Sequence, residues 1–223
     1  MTVGANFAAE TPEQRRQRAS TILRRLRGEY DAHCALVHQT PLQLLLATIL
    51  SAQCTDEMVN KVTPALFSRF PDAASLAEAS QEEVETLINS LGLFRNKAKS
   101  LRGCCALIMS EFGGEVPRTM AELTRLPGVA RKTANVVLGT AFGIPSGVVV
   151  DTHVQRLSGR MGLSQQSDAV KIERDLMAIL PKDRWIEAGH NLIWHGRKCC
   201  AARKPACERC VVGDLCPRVG VET

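Results

Sequence analysis

The sequence predicts an all-α protein. Helix-start signals recur along it, apolar residues fall at three- and four-residue spacing, and no stretch sustains the alternation of a strand. Thr11-Pro12-Glu13-Gln14 places an N-cap, a proline at the first helical position and a glutamine three residues on. This capping box opens a helix reaching about Gly28. Thr40-Pro41-Leu42-Gln43 repeats the signal, and Leu42, Leu45, Leu46, Ile49 and Leu50 follow at helical spacing. Thr55 begins a third helix that runs towards Phe70-Pro71, and Ser80 with Glu83 caps another, stopped by Gly92. A helix is predicted over 97–112, ending at Gly113-Gly114, where freedom at positive φ suits a C-terminal cap. Helices around 120–125 and over 130–142, 152–161, 168–180 and 182–196 complete the series. Gly147–Val150 is β-prone but only four residues long.

The 223 residues suffice for one large domain or two modest ones, and 45% apolar residues provide a core. Nine aromatic residues leave little for base stacking. The net charge of +5 is mild, but its distribution is uneven. Residues 13–29 carry Arg15, Arg16, Arg18, Arg24, Arg25 and Arg27 against two glutamates, and residues 197–218 carry six Lys or Arg against Glu208 and Asp214. Such runs suit a polyanion or are simply solvated helix faces. Met1–Glu10 has neither a basic start nor an apolar run, so no secretory signal is expected there. Leu42–Leu50 is too short to cross a bilayer, and nine cysteines without an export signal point to reduced thiols in the cytosol. Residues 1–10, small and polar, are expected to be flexible.

The segment from Leu126 to His153 carries the chemistry. Pro127-Gly128 forces a tight turn, and a helix begins within three residues. A helix N-terminus presented this way aims backbone N–H groups outward and binds an anion such as a DNA phosphate; the plain alternative is a helix–turn–helix corner. Lys132 lies one turn into that helix. A free lysine, with a pKa of about 10.4, is neutral in less than roughly one part in a thousand at neutral pH, so a nucleophilic lysine needs desolvation or a positive neighbourhood. Asp151 opens the next helix at Asp151-Thr152-His153. By pattern alone it is an N-cap, a role compatible with facing a lysine or a developing sugar cation.

Cys200-x6-Cys207-x2-Cys210-x5-Cys216 places four soft ligands within 17 residues. In a reducing compartment this density means metal rather than disulfides. Structural zinc sites more often use two short Cys-x2-Cys hooks, so the single hook favours an iron–sulfur cluster while leaving zinc open.

Taken together, Leu50-Ser51-Ala52-Gln53-Cys54-Thr55-Asp56, the hairpin Leu126–Val137, Val150-Asp151-Thr152-His153 and the cysteine spacing resemble the endonuclease III family of helix–hairpin–helix DNA glycosylases, from about Arg18 to Cys216. The resemblance implies two helical domains flanking a DNA groove. One is a six-helix barrel over 34–144 containing the hairpin, and the other joins 11–33 to 145–223 around a [4Fe-4S] cluster. It implies a monomeric enzyme of base excision repair, in a bacterial-type cytosol, acting on damaged or abasic double-stranded DNA as a bifunctional glycosylase and abasic-site lyase for oxidised pyrimidines. Lys132 matches the family's nucleophile and Asp151 its carboxylate partner. Gly128 and Ala130 match positions whose amides hold a phosphate, and His153 a position near DNA. Gln53 resembles the residue that fills the gap left by a flipped nucleotide, and Leu93 the wedge that unstacks it. The bland readings are a helix-terminal Gln and a Leu beside a capping Gly. Cys200, Cys207, Cys210 and Cys216 match the cluster ligands, Cys200 rather than Cys199 keeping the family register. The loop they close displays Arg203 and Lys204 towards phosphate. Cys34, Cys54, Cys104 and Cys105 show no pairing pattern, and His190 and His195 read as structural.

The chain departs from the family pattern at two places. Ala130 stands where the hairpin usually has Gly, so positive φ there would be strained. The stretch from Lys132 to Asp151 is one residue longer, within 144–148. Other readings are an adenine-type monofunctional glycosylase, disfavoured by Lys132 and by the lack of a long C-terminal recognition domain, a non-catalytic DNA-binding module, and a redox protein built on the cluster.

Overall fold

The computed structural model describes residues 10–221, and among them every regular element is helical, as the sequence predicts. The elements are α1 (Pro12–Glu29), α2 (Pro41–Leu50), α3 (Asp56–Arg69), α4 (Ala73–Glu78), α5 (Gln81–Ile88), α6 (Phe94–Phe112), α7 (Met120–Leu123), α8 (Arg131–Phe142), α9 (Thr152–Arg160), α10 (Ala169–Ile179) and α11 (Trp185–Lys198). Short 3-10 turns cover Lys182–Arg184, Cys207–Arg209 and Gly213–Leu215. Two compact units emerge, Cys34–Ile144 and the discontinuous pair Met1–His33 with Pro145–Thr223.

In the Cys34–Ile144 unit α2 is the central rod. Leu44 through Leu50 are all buried, so this helix is covered on every face, and α3, α6 and α8 pack against it. At about 2 kcal/mol for each fully buried leucine, this one helix supplies a large share of the unit's core stabilisation. Thr40 caps α2 and Thr55 caps α3 through their hydroxyls. Helix α4 has no counterpart in the sequence reading. Asp72 and Ser75 form a reciprocal capping box that starts it, and at six residues it is too short to show periodicity. It packs on α6, as does α5. Helix α6 starts three residues earlier than predicted and ends at Gly113, in left-handed backbone at φ 60°.

The discontinuous unit packs α1, α9, α10 and α11 around Ile22, Leu26, Val154, Leu157, Ile172, Leu176 and Leu192. Arg18, 8% exposed, is its polar hub. It donates to both carboxylate oxygens of Glu10 at 2.7 and 2.8 Å, to Met161 O at 2.6 Å and to Leu215 O at 3.1 Å. Of the flexible stretch expected at 1–10, residues 1–9 lie outside the described residues, whereas Glu10 is fixed by this bidentate pair. Part of the first basic run is tied to other elements of the unit. Arg16 donates to Ala178 O, Arg25 reaches Val211 O and Asp214, and Arg27 pairs with Glu187. Arg18 is buried, but Arg16, Arg24, Arg25 and Arg27 remain exposed, so these bonds leave most of the run on a solvated face of α1. Val148, Val149 and Val150 are buried without forming a strand, and a Cβ on Gly189 of α11 would sit 3.3 Å from Val149 Cβ. Among the described residues no helix is long and apolar enough to cross a membrane.

Candidate active site and metal centre

The hairpin corner lies between α7 and α8. Gly128 has φ +80°, and a Cβ there would lie 2.9 Å from Ser100 Cβ and 3.1 Å from Ile49 Cγ2, so both backbone and space demand glycine. Gly103 of α6 admits Pro127 so closely that its Cβ would stand 3.3 Å from the ring. The turn is thus pinned against α2 and α6. Ala130 is the N-cap of α8 with φ −92° and ψ 171°, extended backbone that any residue adopts. The strain anticipated from replacing the family glycine is absent, because the positive φ belongs to Gly128 alone in this turn. Ala130 brings no side-chain cap to α8. A helix N-terminus without a side-chain acceptor carries partial positive charge and can accept an external anion. Lys132 is exposed on the first turn of that helix.

Two further nominated residues of this unit share an uncommon backbone. Gln53 has φ 56° and Leu93 has φ 60°, both left-handed without being glycine. Leu93 is the uncapped start of α6 and is 55% exposed. An apolar side chain held out to solvent on strained backbone is a feature found at functional positions. The capping glycine of the bland reading is not at work, since Gly92 lacks positive φ.

In the discontinuous unit Asp151 caps α9, and its Oδ1 accepts from His153 N at 2.8 Å and Val154 N at 2.9 Å. Both bonds use Oδ1, so the cap does not use Oδ2. His153 is half-buried where a Cβ on Gly196 would lie 2.9 Å from its own Cβ. Burial lowers its pKa, opposed in part by Asp151. Its Nδ1 faces Arg156 Nη2 at 3.1 Å, and that guanidinium also donates to Gly196 O and Cys200 O. His153 is therefore built into the packing of α9 on α11.

The cysteine segment follows α11. Cys200, Cys207, Cys210 and Cys216, with Cys199, line one pocket whose wall is otherwise mostly apolar and carries Arg160 and Arg218 but no carboxylate. Burial pushes the Cys210 and Cys216 thiols up and the Cys199 thiol up to about 12. Sulfurs gathered this way need a bound cation to become thiolates, and an anionic thiolate cluster beside two guanidiniums suits the donor set. Arg160 donates to Cys200 Sγ at 3.4 Å, Ala201 O at 2.7 Å and Ala202 O at 2.8 Å, which holds the loop bearing Arg203 and Lys204. Both loop cations are exposed, and Lys204 is left-handed at φ 52°. His195, fully buried, links Tyr30 Oη at 2.9 Å to Cys210 Sγ at 3.5 Å. A ring nitrogen of His195 lies within 4.8 Å of the sulfurs of Cys199 and Cys210, so proximity alone groups Cys199, not Cys200, with Cys210. Sequence reasoning missed Tyr30, Arg156 and Arg160 as supports of this centre. The four-residue spacing of the two arginines on α9 is a signal that one helix face is cationic, but their acceptors lie more than 35 residues away.

Hairpin, capped aspartate and cysteine pocket are the parts of a DNA repair protein that acts on bases. Residues 46–182 match the HhH-GPD superfamily base excision DNA repair protein family, and residues 200–216 match the iron-sulfur binding domain of endonuclease III. Endonuclease III of Synechocystis is 59% identical over 204 residues, covering 91% of this chain and 93% of its own. A solved non-covalent endonuclease III–DNA complex superposes with a TM-score of 0.86 at 44% identity, over 91% of this chain and 95% of that one. A trapped endonuclease III–DNA covalent intermediate, an estranged-adenine complex, superposes with the same score and identity over 91% and 96%. The chain belongs to the endonuclease III family, DNA glycosylases with abasic-site lyase activity that carry a [4Fe-4S] cluster.

Proposed function

We propose that this protein removes oxidised pyrimidines from double-stranded DNA and then breaks the strand at the abasic site, with Lys132 as the nucleophile. The observation that carries this reading is the α8 N-terminus, open to an anion and bearing an exposed lysine in its first turn. A phosphate held by the amides around Gly128 and Ala130 brings the neighbouring sugar to Lys132. The Lys132 amine attacks C1′ as the bond to the base breaks, and the base leaves with that electron pair and takes a proton from solvent. Transfer of one proton from the attached amine to O4′ opens the ring and gives an iminium at C1′, which acidifies C2′; loss of a C2′ proton expels the 3′ phosphate. Asp151, through the oxygen its cap leaves over, stabilises the developing positive charge on the sugar and takes the lysine's proton. Gln53 and Leu93 occupy the stack vacated by the everted nucleotide, while His153 shapes the wall behind Asp151. Arg203 and Lys204 add phosphate contacts.

Cys200, Cys207, Cys210 and Cys216 would hold the cluster. The spacing and the matched segment, which begins at Cys200, outweigh the proximity of Cys199 to Cys210. The group supplies a cross-link that closes the loop around Arg203 and Lys204. In this reading the protein acts as a monomer.

Borohydride reduction in the presence of a thymine-glycol duplex is expected to leave a covalent protein–DNA adduct, and Lys132→Ala to abolish it. An undiminished adduct in that variant would remove Lys132 from this role. The trapped intermediate of the 44%-identical relative supports the covalent route.

A further inference from the structure

Left-handed backbone is disfavoured for any residue with a Cβ, so the turns at Gln53 and Leu93 must be held by their surroundings. Within each turn a main-chain bond contributes. Cys54 N donates to Ser51 O at 3.1 Å across Gln53, and Lys97 N donates to Leu93 O at 3.0 Å. Neither bond sets how far apart the two turns stand.

A side-chain bond does. Lys97 Nζ donates to Cys54 Sγ at 3.0 Å, joining the residue after Gln53 to the residue one helical turn beyond Leu93. Lys97 is 5% exposed, and among the described residues this sulfur is the one polar partner of its amine. A buried amino group requires an acceptor, and a thiol is a weak one. The bond therefore costs Lys97 much of its hydration for a modest acceptor, which makes sense where geometry is the benefit.

We infer that the Lys97–Cys54 bond is a strut that sets the separation of Gln53 and Leu93, and that both members are positioning residues for nucleotide eversion. The inference rests on the proposed role of Gln53 and Leu93 in opening the duplex. A plug and a wedge must enter the stack on either side of one vacated site, so a shift of about an ångström in their spacing misplaces both.

The test uses the full-length, cluster-loaded protein and a duplex with a tetrahydrofuran abasic analogue flanked by 2-aminopurine, whose fluorescence rises on unstacking. Lys97→Met and Cys54→Val are each expected to lower that rise and weaken binding by about fivefold, within the range of one hydrogen bond. KM for cleavage of a preformed abasic site should rise while kcat stays within about twofold, because the pair touches neither sugar nor phosphate. Cys54→Ser keeps an acceptor and should match the parent. The double variant Lys97→Met/Cys54→Val should recover the thermal midpoint lost by Cys54→Val alone but not the fluorescence rise. Recovery of both would show that apolar packing suffices and would overturn the strut. Gln53→Ala and Leu93→Ala are the controls. If they lower the rise while Lys97→Met and Cys54→Val do not, the strut is overturned and the eversion reading stands. If they leave the rise unchanged, the reading and the strut fall together.

Discussion

Ala130 begins α8 from extended backbone and offers no oxygen to the first-turn amides. A side-chain acceptor at an N-cap is worth about 1 kcal/mol over alanine. Ala130→Asp should therefore raise thermal stability by roughly that amount while weakening DNA binding, because an internal carboxylate takes the place of the phosphate. Denaturant unfolding and a binding titration on the same preparation check both halves; tighter binding would exclude the hairpin as an anion site. Asp151 allows the converse separation. Asparagine is as good an N-cap as aspartate. Asp151→Asn is accordingly expected to keep stability within a few tenths of a kcal/mol yet lose strand cleavage, whereas Asp151→Ala should lose about 1 kcal/mol as well. Equal activity in parent and asparagine variant would reduce Asp151 to a cap.

At the scale of elements, α11 carries His190, whose pKa burial lowers, with His33 adding to the effect. A histidine that stays neutral in the fold binds fewer protons than in the unfolded chain below its ordinary pKa of about 6.5. Stability is thus unaffected by this group above that pH and falls as the pH drops below it, and burial at His153 acts in the same direction. Urea unfolding between pH 7.5 and 5.5 should show this loss, and His190→Gln should flatten the slope. The helices themselves were legible to within a few residues, because Thr11, Thr40, Thr55 and Ser80 write their start signals locally. Helix α4 was not, for its Asp72–Ser75 box departs from the usual glutamate pattern and precedes only six residues. Lys132, the capped Asp151 and the cysteines could be nominated from motifs. The Lys97–Cys54 bond, 43 residues apart, and the Arg156 and Arg160 contacts to the cysteine loop exist only once the chain is folded. Likewise the backbone acceptors of Arg16, Arg18 and Arg25 lie far along the chain and cannot be read from the run itself.

Considered whole, the molecule has two separate apolar cores. Cys200, Cys210, Val211, Leu215 and Cys216 pack against only one of them, the core of α1, α9, α10 and α11. Removing the cluster by oxidation and chelation should accordingly strip hydrogen-exchange protection from those four helices and leave α2, α3, α6 and α8 protected. Mass-spectrometric exchange resolves the two sets. Uniform loss across both would mean that the cores are energetically one.

The discontinuous unit also bears on the order in which the chain can mature. Ala19, Ile22 and Leu26 of α1 are covered by residues beyond 145 that leave the ribosome after everything needed for the Cys34–Ile144 core has emerged. The nascent protein must carry the apolar face of α1 uncovered throughout that interval. Chaperone occupancy during translation should therefore concentrate on α1, and iron delivery can succeed only once Cys216 has emerged.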